Sequence, residues 1–98
     1  MKIKHDAYVK SLCDIIKLDY DWLSTNVVLC SKKKGRVLAE IDVLAVKEGH
    51  LDVYEVKCSN RIIKAKKQLK RIKRLIPGVD QTFFFCGDSG LIQKINEE

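Results

Sequence analysis

The sequence has little of what marks several large classes of protein. It has one proline among 98 residues, and no repeat or Pro/Gly/Ser-rich linker divides it. No apolar run approaches the roughly 18–20 residues that a membrane span needs. The first residues, MKIKHDAY, turn polar too early for a secretory signal. We therefore expect a single domain over residues 1–98, cytoplasmic and without a membrane segment.

Paired or clustered cysteines are also missing. The four cysteines, at positions 13, 30, 58 and 86, form no CxxC motif and no Cys/His cluster, which argues against a zinc site. In a cytosolic setting they are predicted to be buried, reduced thiols. Hydrophobic residues make up 46% and charged residues 33%, which is typical of a soluble globular protein.

Acidic residues are absent from one segment, 61–74, which carries eight of the 19 basic residues. The rest of the chain has 11 basic and 13 acidic residues, so this segment accounts for the whole net charge of +6. Without acids it cannot form the ion pairs that usually stabilise a charged helix. The pattern favours a polyanionic partner. The basic turn 31–35 is either a solvated loop or a second phosphate contact.

The hydrophobic periodicity predicts the element order αβββαβ, an α/β fold with a mixed sheet flanked by helices. The third and fourth strands are joined through a helix, which implies that they pair in parallel beside an antiparallel hairpin. Helices are predicted at 5–18 and from a cap at Ser59 or Asn60 to about 76, with a possible last helix at 91–96. Strands are predicted at 22–30, 36–46, 51–58 and 81–86.

Four charged residues interrupt the apolar hairpin: Glu40, Asp42, Glu55 and Lys57. If Val46 pairs with Leu51, Asp42 lies opposite Glu55, and Glu40 lies opposite Lys57 on the same face. The opposite face, residues 37–45 at alternate positions, is predicted to be buried.

Opposed carboxylates in a partly apolar setting need a cation or a raised pKa. A divalent ion such as Mg²⁺ meets that need, since it prefers carboxylate oxygens. The alternative is an ion pair between Glu40 and Lys57, with Asp42 and Glu55 solvated at the sheet edge. The residues alone leave both open.

The hairpin resembles the signature of the PD-(D/E)XK nuclease superfamily, which has the restriction-endonuclease-like fold. The motif is matched by Ile41-Asp42 on one strand and Glu55-Val56-Lys57 on the next. Its E-x-D form is similar to Glu40-Ile41-Asp42. The order αβββαβ is similar to the family core. Gln68, in the following helix, resembles a glutamine that some branches keep. Ile41 departs from the proline of the family's name. The first helix lacks the usual Glu, for which Asp6 is the best substitute and Asp14 a weaker one.

The resemblance implies that Asp42, Glu55 and the carbonyl of Val56 hold Mg²⁺ or Mn²⁺, with Glu40 assisting through a water or a second ion. Lys57 would position or help deprotonate the attacking water. The implied activity is a DNA endonuclease acting on duplex or branched DNA, similar to the small Holliday junction resolvases, which are homodimers. The predicted nucleic-acid contacts are Arg61, Lys64, Lys67, Lys70, Arg71 and Arg74.

Two other functions compete with this one. The chain could be a nucleic-acid-binding module that kept the fold without catalysis, or a structural subunit whose basic helix docks an acidic protein. For a homodimer, apolar groups on the strand at 83–85 or on the last helix would supply the interface.

Overall fold

A computed structural model of the chain describes residues 2–96, except for the side chain of residue 2. Within these residues, five strands form one sheet in which strands that follow each other in the chain are also neighbours in the sheet, and the third and fourth strands are the parallel pair. The predicted α/β fold with a mixed sheet flanked by helices is confirmed. The elements are α1 (Lys2–Ile16), a 3-10 helix (Lys17–Asp19), β1 (Trp22–Cys30), β2 (Val37–Lys47), β3 (His50–Lys57), α2 (Ile62–Leu75), β4 (Val79–Cys86) and β5 (Leu91–Ile95).

The two helices cover opposite faces of the sheet. The α1-side cluster contains Val9, Leu12 and Ile16, packed on strand residues such as Val56 and Phe85. The α2-side cluster contains Ala65, Leu69 and Ile72, packed on residues that include Val53 and Phe84. In each helix the buried positions recur every three or four residues, which is the spacing of one helical face.

The last element is a strand, so the prediction of a final helix at 91–96 is wrong. Gly90, with φ of 75°, turns the chain back beside β4. Leu91–Ile95 then pairs antiparallel with β4. Ile92 packs on the α1-side cluster and Ile95 on the α2-side cluster. Backbone pairing with an otherwise open sheet edge outweighs helix formation in so short a segment.

The predicted cap of the second helix is also wrong. Arg61 is the N-cap residue, and it makes no side-chain capping hydrogen bond. Ser59 instead contributes its main-chain carbonyl, which accepts the N–H of Arg61 at 2.8 Å. The helix therefore begins on main-chain contacts and depends on its buried face for stability.

Two of the three phenylalanines predicted for a homodimer interface are buried in this fold. Phe84 and Phe85 are 0% and 2% exposed and belong to the two core clusters, while Phe83 stacks on Tyr54. The predicted last helix is strand β5. Within the part of the chain that the structure describes, neither helix is long and apolar enough to cross a membrane.

The cysteines are all free thiols, as predicted, but their burial varies. Cys86 is buried, Cys13 and Cys58 are half-buried, and Cys30 is exposed near the end of β1. The prediction that all four are buried is therefore wrong.

Gly87 is the point where α1 meets the turn after β4. A β-carbon there would overlap the ring of Tyr8, whose hydroxyl donates to Asp88 Oδ1 at 3.1 Å. We expect Gly87→Ala to lower the free energy of unfolding by about 1–3 kcal/mol because the ring must move. The control is Gly78→Ala, where the new methyl group meets no atom within 4 Å. Urea unfolding of both variants measures the difference, and equal effects would contradict this packing.

Candidate functional site

The candidate site lies where β2 and β3 separate. The predicted register is confirmed along the hairpin, and its last ladder pair is Val43–Tyr54. Beyond that pair a side chain replaces the main-chain pairing of the two strands. The Oδ2 atom of Asp42 accepts a hydrogen bond from the N–H of Val56 at 2.8 Å. The predicted direct opposition of Asp42 and Glu55 in the ladder therefore does not form. Instead the Asp42 carboxylate is fixed by the β3 backbone.

The backbone changes face beside Asp42. Ile41 packs in the α2-side cluster, whereas Val43, two residues later, packs in the α1-side cluster. In a regular strand both would share one face. On neighbouring β1, Asn26 has φ of 54°, a left-handed conformation that asparagine tolerates. The prediction of one continuous buried face over residues 37–45 is therefore wrong at this point.

Glu55 is the most unusual group of the site. It is 3% exposed, and its Oε1 atom is buried without a hydrogen-bond partner. Its Oε2 atom lies 3.4 Å from Lys57 Nζ. Burial, followed by the negative charge of Asp42, raises the pKa of Glu55 to about 8, although Lys57 acts in the opposite direction. A buried carboxyl oxygen without a partner is costly, and a bound cation or water would offset that cost.

The sequence also allowed an ion pair between Glu40 and Lys57, with Asp42 and Glu55 in solvent, and both parts of that alternative are wrong. Lys57 pairs with Glu55 rather than with Glu40 within the described residues. Asp42 and Glu55 are not solvated, since Asp42 is 9% and Glu55 3% exposed. The ion pair with Lys57 reaches only the Oε2 atom of Glu55, and its Oε1 atom stays without a hydrogen-bond partner.

One cleft of about 290 Å³ brings most of the sequence-predicted site residues together. Its lining adds two residues that the sequence reasoning missed, His5 and Asn26. Asp14, the weaker substitute for a first-helix Glu, lies outside the cleft and forms exposed ion pairs with Lys10 and Lys17. The lining residues are His5, Asp6, Asn26, Glu40, Asp42, Glu55, Lys57 and Gln68.

His5 makes the closest contacts from α1. Its Nε2 atom lies 3.0 Å from the carbonyl oxygen of Val56 and 3.4 Å from Asp42 Oδ2. Asp6, the predicted substitute for the missing Glu, approaches the other ring nitrogen of His5, with Oδ1 3.9 Å from Nδ1. The side chain of Asp6 is 60% exposed. The sequence feature that could have indicated His5 as a site residue was its position next to Asp6 in the first turns of a helix.

The donor set fits a hard divalent ion. Asp42 and Glu55 offer carboxylate oxygens, one of them unsatisfied, and Val56 offers a main-chain carbonyl. Such oxygen ligands suit Mg²⁺ or Mn²⁺. Across residues 2–96, no group of three or more His, Cys, Asp or Glu side chains is arranged to hold a metal ion. A metal here would therefore depend on the main-chain carbonyl and on waters to complete its shell.

The basic helix α2 borders this cleft through Gln68. The predicted nucleic-acid contacts Lys64, Lys67, Lys70 and Arg74 are exposed on it, as is the N-cap Arg61. Arg71 has a structural contact as well, since its Nε–H donates to the carbonyl of Leu38 at 2.8 Å. That bond ties α2 to the N-terminal half of β2.

A second basic element lies beside α2. From Asp42 back to Val37, β2 pairs only with β1 among the described strands, and the two form a two-stranded arm. Its tip carries four exposed cations, Lys32, Lys33, Lys34 and Arg36. Because Leu38 in this arm contacts Arg71, the arm and α2 place their positive charges on neighbouring surfaces.

Comparison with known proteins gives this chain no family. No model of a protein family matches the sequence, and no curated protein matches it.

Proposed function

We propose that this protein is a metal-dependent nuclease of the PD-(D/E)XK type that hydrolyses phosphodiester bonds in DNA. The observation that carries the proposal is the buried, unpartnered Oε1 atom of Glu55, next to Asp42 and Lys57. A protein keeps such a destabilising group where it serves a function. The cleft that contains it is bordered by two basic elements, which suit a polyanionic substrate.

In the proposed reaction Asp42, Glu55 and the Val56 carbonyl hold Mg²⁺ or Mn²⁺. The bound ion would supply a water of lowered pKa and positive charge near the scissile phosphate. The backbone of β3 keeps the Asp42 carboxylate in place through the Val56 N–H. The Lys57 ammonium, 18% exposed and 3.4 Å from Glu55, orients the attacking water and offsets charge on the phosphate. Glu40 and Gln68 line the cleft, where the Glu40 carboxylate can accept a hydrogen bond from water and the Gln68 amide can donate to a phosphate oxygen.

The test of this function is cleavage of duplex, branched and single-stranded DNA of matched sequence. Each substrate is incubated with Mg²⁺, with Mn²⁺ and with a chelator. We expect cleavage that requires the metal and is lost in Asp42→Ala. Cleavage that persists in the chelator or in Asp42→Ala would contradict the assignment of the site.

The competing function is a nucleic-acid-binding module without catalysis. Its support is that no group of three or more His, Cys, Asp or Glu side chains among residues 2–96 is arranged to hold a metal ion, and that His5 already contacts the Val56 carbonyl. Binding without cleavage under every condition above would favour this function. Failure to bind nucleic acid even at low salt would favour a subunit that docks an acidic protein.

The basic helix makes a separate prediction about salt. Replacing Lys64, Lys67 and Lys70 with Gln should make the slope of log affinity against log salt shallower by about 2–3, because each phosphate contact contributes about 0.9 on B-DNA. The control replaces three exposed lysines elsewhere, Lys10, Lys17 and Lys94, which changes the net charge equally. Fluorescence anisotropy at several salt concentrations measures both slopes. Equal changes in the two variants would show that net charge, not α2, attracts the nucleic acid.

Association of two copies is part of the proposal. One active site cuts one strand, so a second copy would let the protein act on both strands of a duplex or junction. The buried residues of β4 cannot form an interface between two copies. The sheet edges β1 and β5 remain, where Val28 and Leu91 are half-exposed. Sedimentation with and without DNA tests this, and a monomer in both conditions would remove the dimer.

A further inference from the structure

A second groove lies beside the candidate cleft, between α1 and β1. Its volume is about 270 Å³, and it shares two lining residues with the cleft, so the two are continuous. Its α1 residues are spaced three or four apart, which places them on one side of the helix. The lining residues are Asp6, Val9, Lys10 and Cys13 of α1 and Thr25 and Asn26 of β1, of which Asp6 and Asn26 also line the cleft.

The β1 side of this α1–β1 groove is formed at an irregular point of the strand. The ladder pairs on either side of Asn26 set it opposite Asp42, but these two residues form no pair. Asn26 has φ of 54° instead of an extended conformation. Within the described residues, the side chains of Thr25 and Asn26 are exposed and make no hydrogen bond. The groove therefore offers an amide and a hydroxyl, each of which can donate and accept.

The lining of the α1–β1 groove suits a neutral group better than a phosphate. It has one carboxylate, Asp6, and one ammonium, Lys10, which lies 3.4 Å from Asp14 Oδ2. Burial raises the pKa of the Cys13 thiol, so this thiol is uncharged at neutral pH. Val9, which is 4% exposed, adds apolar surface. The cations proposed to contact phosphates lie on α2 and on the arm.

We propose that the α1–β1 groove binds a nucleobase of the strand that enters the candidate cleft; this rests on the proposed function. A base is neutral, has apolar faces and carries donors and acceptors on its edges, which Val9 and the free amide and hydroxyl of Asn26 and Thr25 match. A paired base is stacked inside the duplex, so the groove takes one that is unpaired or extruded. The substrate class is therefore DNA with an unpaired nucleotide beside the cleavage site, as at a branch, bulge or flap.

The experiment compares two DNA duplexes that differ at one nucleotide. Each has a bulge of one nucleotide, which is an adenine in the first duplex and an abasic site in the second. Fluorescence anisotropy measures binding with a chelator present, so that no strand is cut. We expect the wild-type protein to bind the adenine bulge at least about fivefold more tightly, the lower end of what contact with one base contributes. Asn26→Gly should lose most of this preference, because a bidentate amide contact to a base alone contributes about fivefold or more.

The control is chosen to match the backbone of the variant. Glycine adopts a left-handed conformation without strain, so Asn26→Gly removes the side chain and keeps the backbone. Glu48, in the turn between β2 and β3, is the other described non-glycine residue with a positive φ. Glu48→Gly changes the affinity for both duplexes equally through its lost charge, so the ratio of the two affinities should stay at the wild-type value.

A second measurement needs neither DNA nor a variant. The backbone N–H signals of Cys13, Thr25 and Asn26 are followed by NMR while adenosine, ribose or inorganic phosphate is added to the wild-type protein. A purine ring shifts the signals of nearby protons through its ring current. We expect adenosine to move these three signals and ribose and phosphate to leave them in place.

The outcomes separate this inference from the proposed function. A preference for the adenine bulge that Asn26→Gly loses and Glu48→Gly keeps supports the inference even if no DNA is cleaved. If the wild-type protein cuts DNA in Mn²⁺ but binds both bulges equally, and adenosine moves none of the three signals, the groove takes no base and the proposed function stands. A preference that Asn26→Gly keeps, or equal movement of the signals by phosphate and adenosine, would also contradict the inference. If the wild-type protein binds no DNA even at low salt, both are overturned.

Discussion

Lys57→Met should lower the rate of DNA cleavage at saturating substrate by about 10²–10⁴-fold, the range for loss of a positioned proton-transfer or charge-stabilising group. Methionine keeps much of the length of the lysine side chain and removes its charge. Lys57 is the one cation within reach of Glu55 among the described residues, so no neighbour can take its place. DNA affinity should change little, because the proposed phosphate contacts lie on α2 and the arm.

The control for this prediction is Lys66→Met, which removes the same charge from an exposed position of α2. We expect it to raise KM modestly and to leave kcat unchanged, the mark of a group that binds substrate without acting in the transition state. Steady-state cleavage rates over a range of DNA concentrations give KM and kcat for both variants. If Lys57→Met keeps a kcat within about threefold of the wild type, Lys57 has no part in the reaction.

Glu55→Gln should stabilise the metal-free protein at high pH. The pKa of Glu55 is raised from 4.5 to about 8, so the folded protein keeps a proton there that the unfolded chain has already released. Between these two values the folded state binds more protons, and raising the pH therefore lowers the free energy of unfolding. Glutamine cannot ionise, so the variant should be more stable by about 1–2 kcal/mol at pH 9, a gain typical of removing a strained functional group.

The stability difference between the wild-type protein and Glu55→Gln should depend on pH and on bound metal. At pH 4 the carboxyl is mostly protonated in both states, and wild type and variant should have similar stability. With Mn²⁺ at 100 times its dissociation constant, the wild-type protein should gain about 2.7 kcal/mol and the variant much less. Thermal unfolding with a chelator and with Mn²⁺, at pH 4, 7 and 9, measures both effects. A variant less stable than wild type at pH 9 with the chelator would contradict the burial of an unsatisfied Glu55.

The hairpin register could be predicted from the sequence because the apolar pattern and the short turn at residues 47–50 agree on it. Pairing Val46 with Leu51 also sets Leu44 opposite Val53 and Val43 opposite Tyr54, and the structure has these pairs. The same rule failed past Val43, since it assumed that both strands stay regular. The Asp42 side chain bonds a main-chain N–H there, and Asn26 adopts a left-handed conformation.

Two contacts of the site were missed, one within a strand and one between distant parts of the sequence. Alternation along the strands paired Lys57 with Glu40, but the side chain turns to Glu55, two residues away on its own strand. His5 is 37 positions from Asp42 in the sequence, and only the docking of α1 on the sheet brings the two together. No local pattern records that docking. The strand β5 was missed for a related reason, because its fold depends on the open edge of β4.

The central claim is that Asp42, Glu55 and Lys57 form a metal-dependent phosphodiesterase centre. The most direct measurement is the time course of duplex and four-way-junction cleavage in Mn²⁺, with wild type and Glu55→Gln purified in parallel. The variant keeps the shape of the cleft and removes the charge that would hold the ion. The account predicts cleavage by the wild-type protein that the chelator stops and that falls at least about 10³-fold in the variant. Cleavage at equal rates by both proteins, or none by the folded, DNA-bound wild type in Mn²⁺, would contradict it.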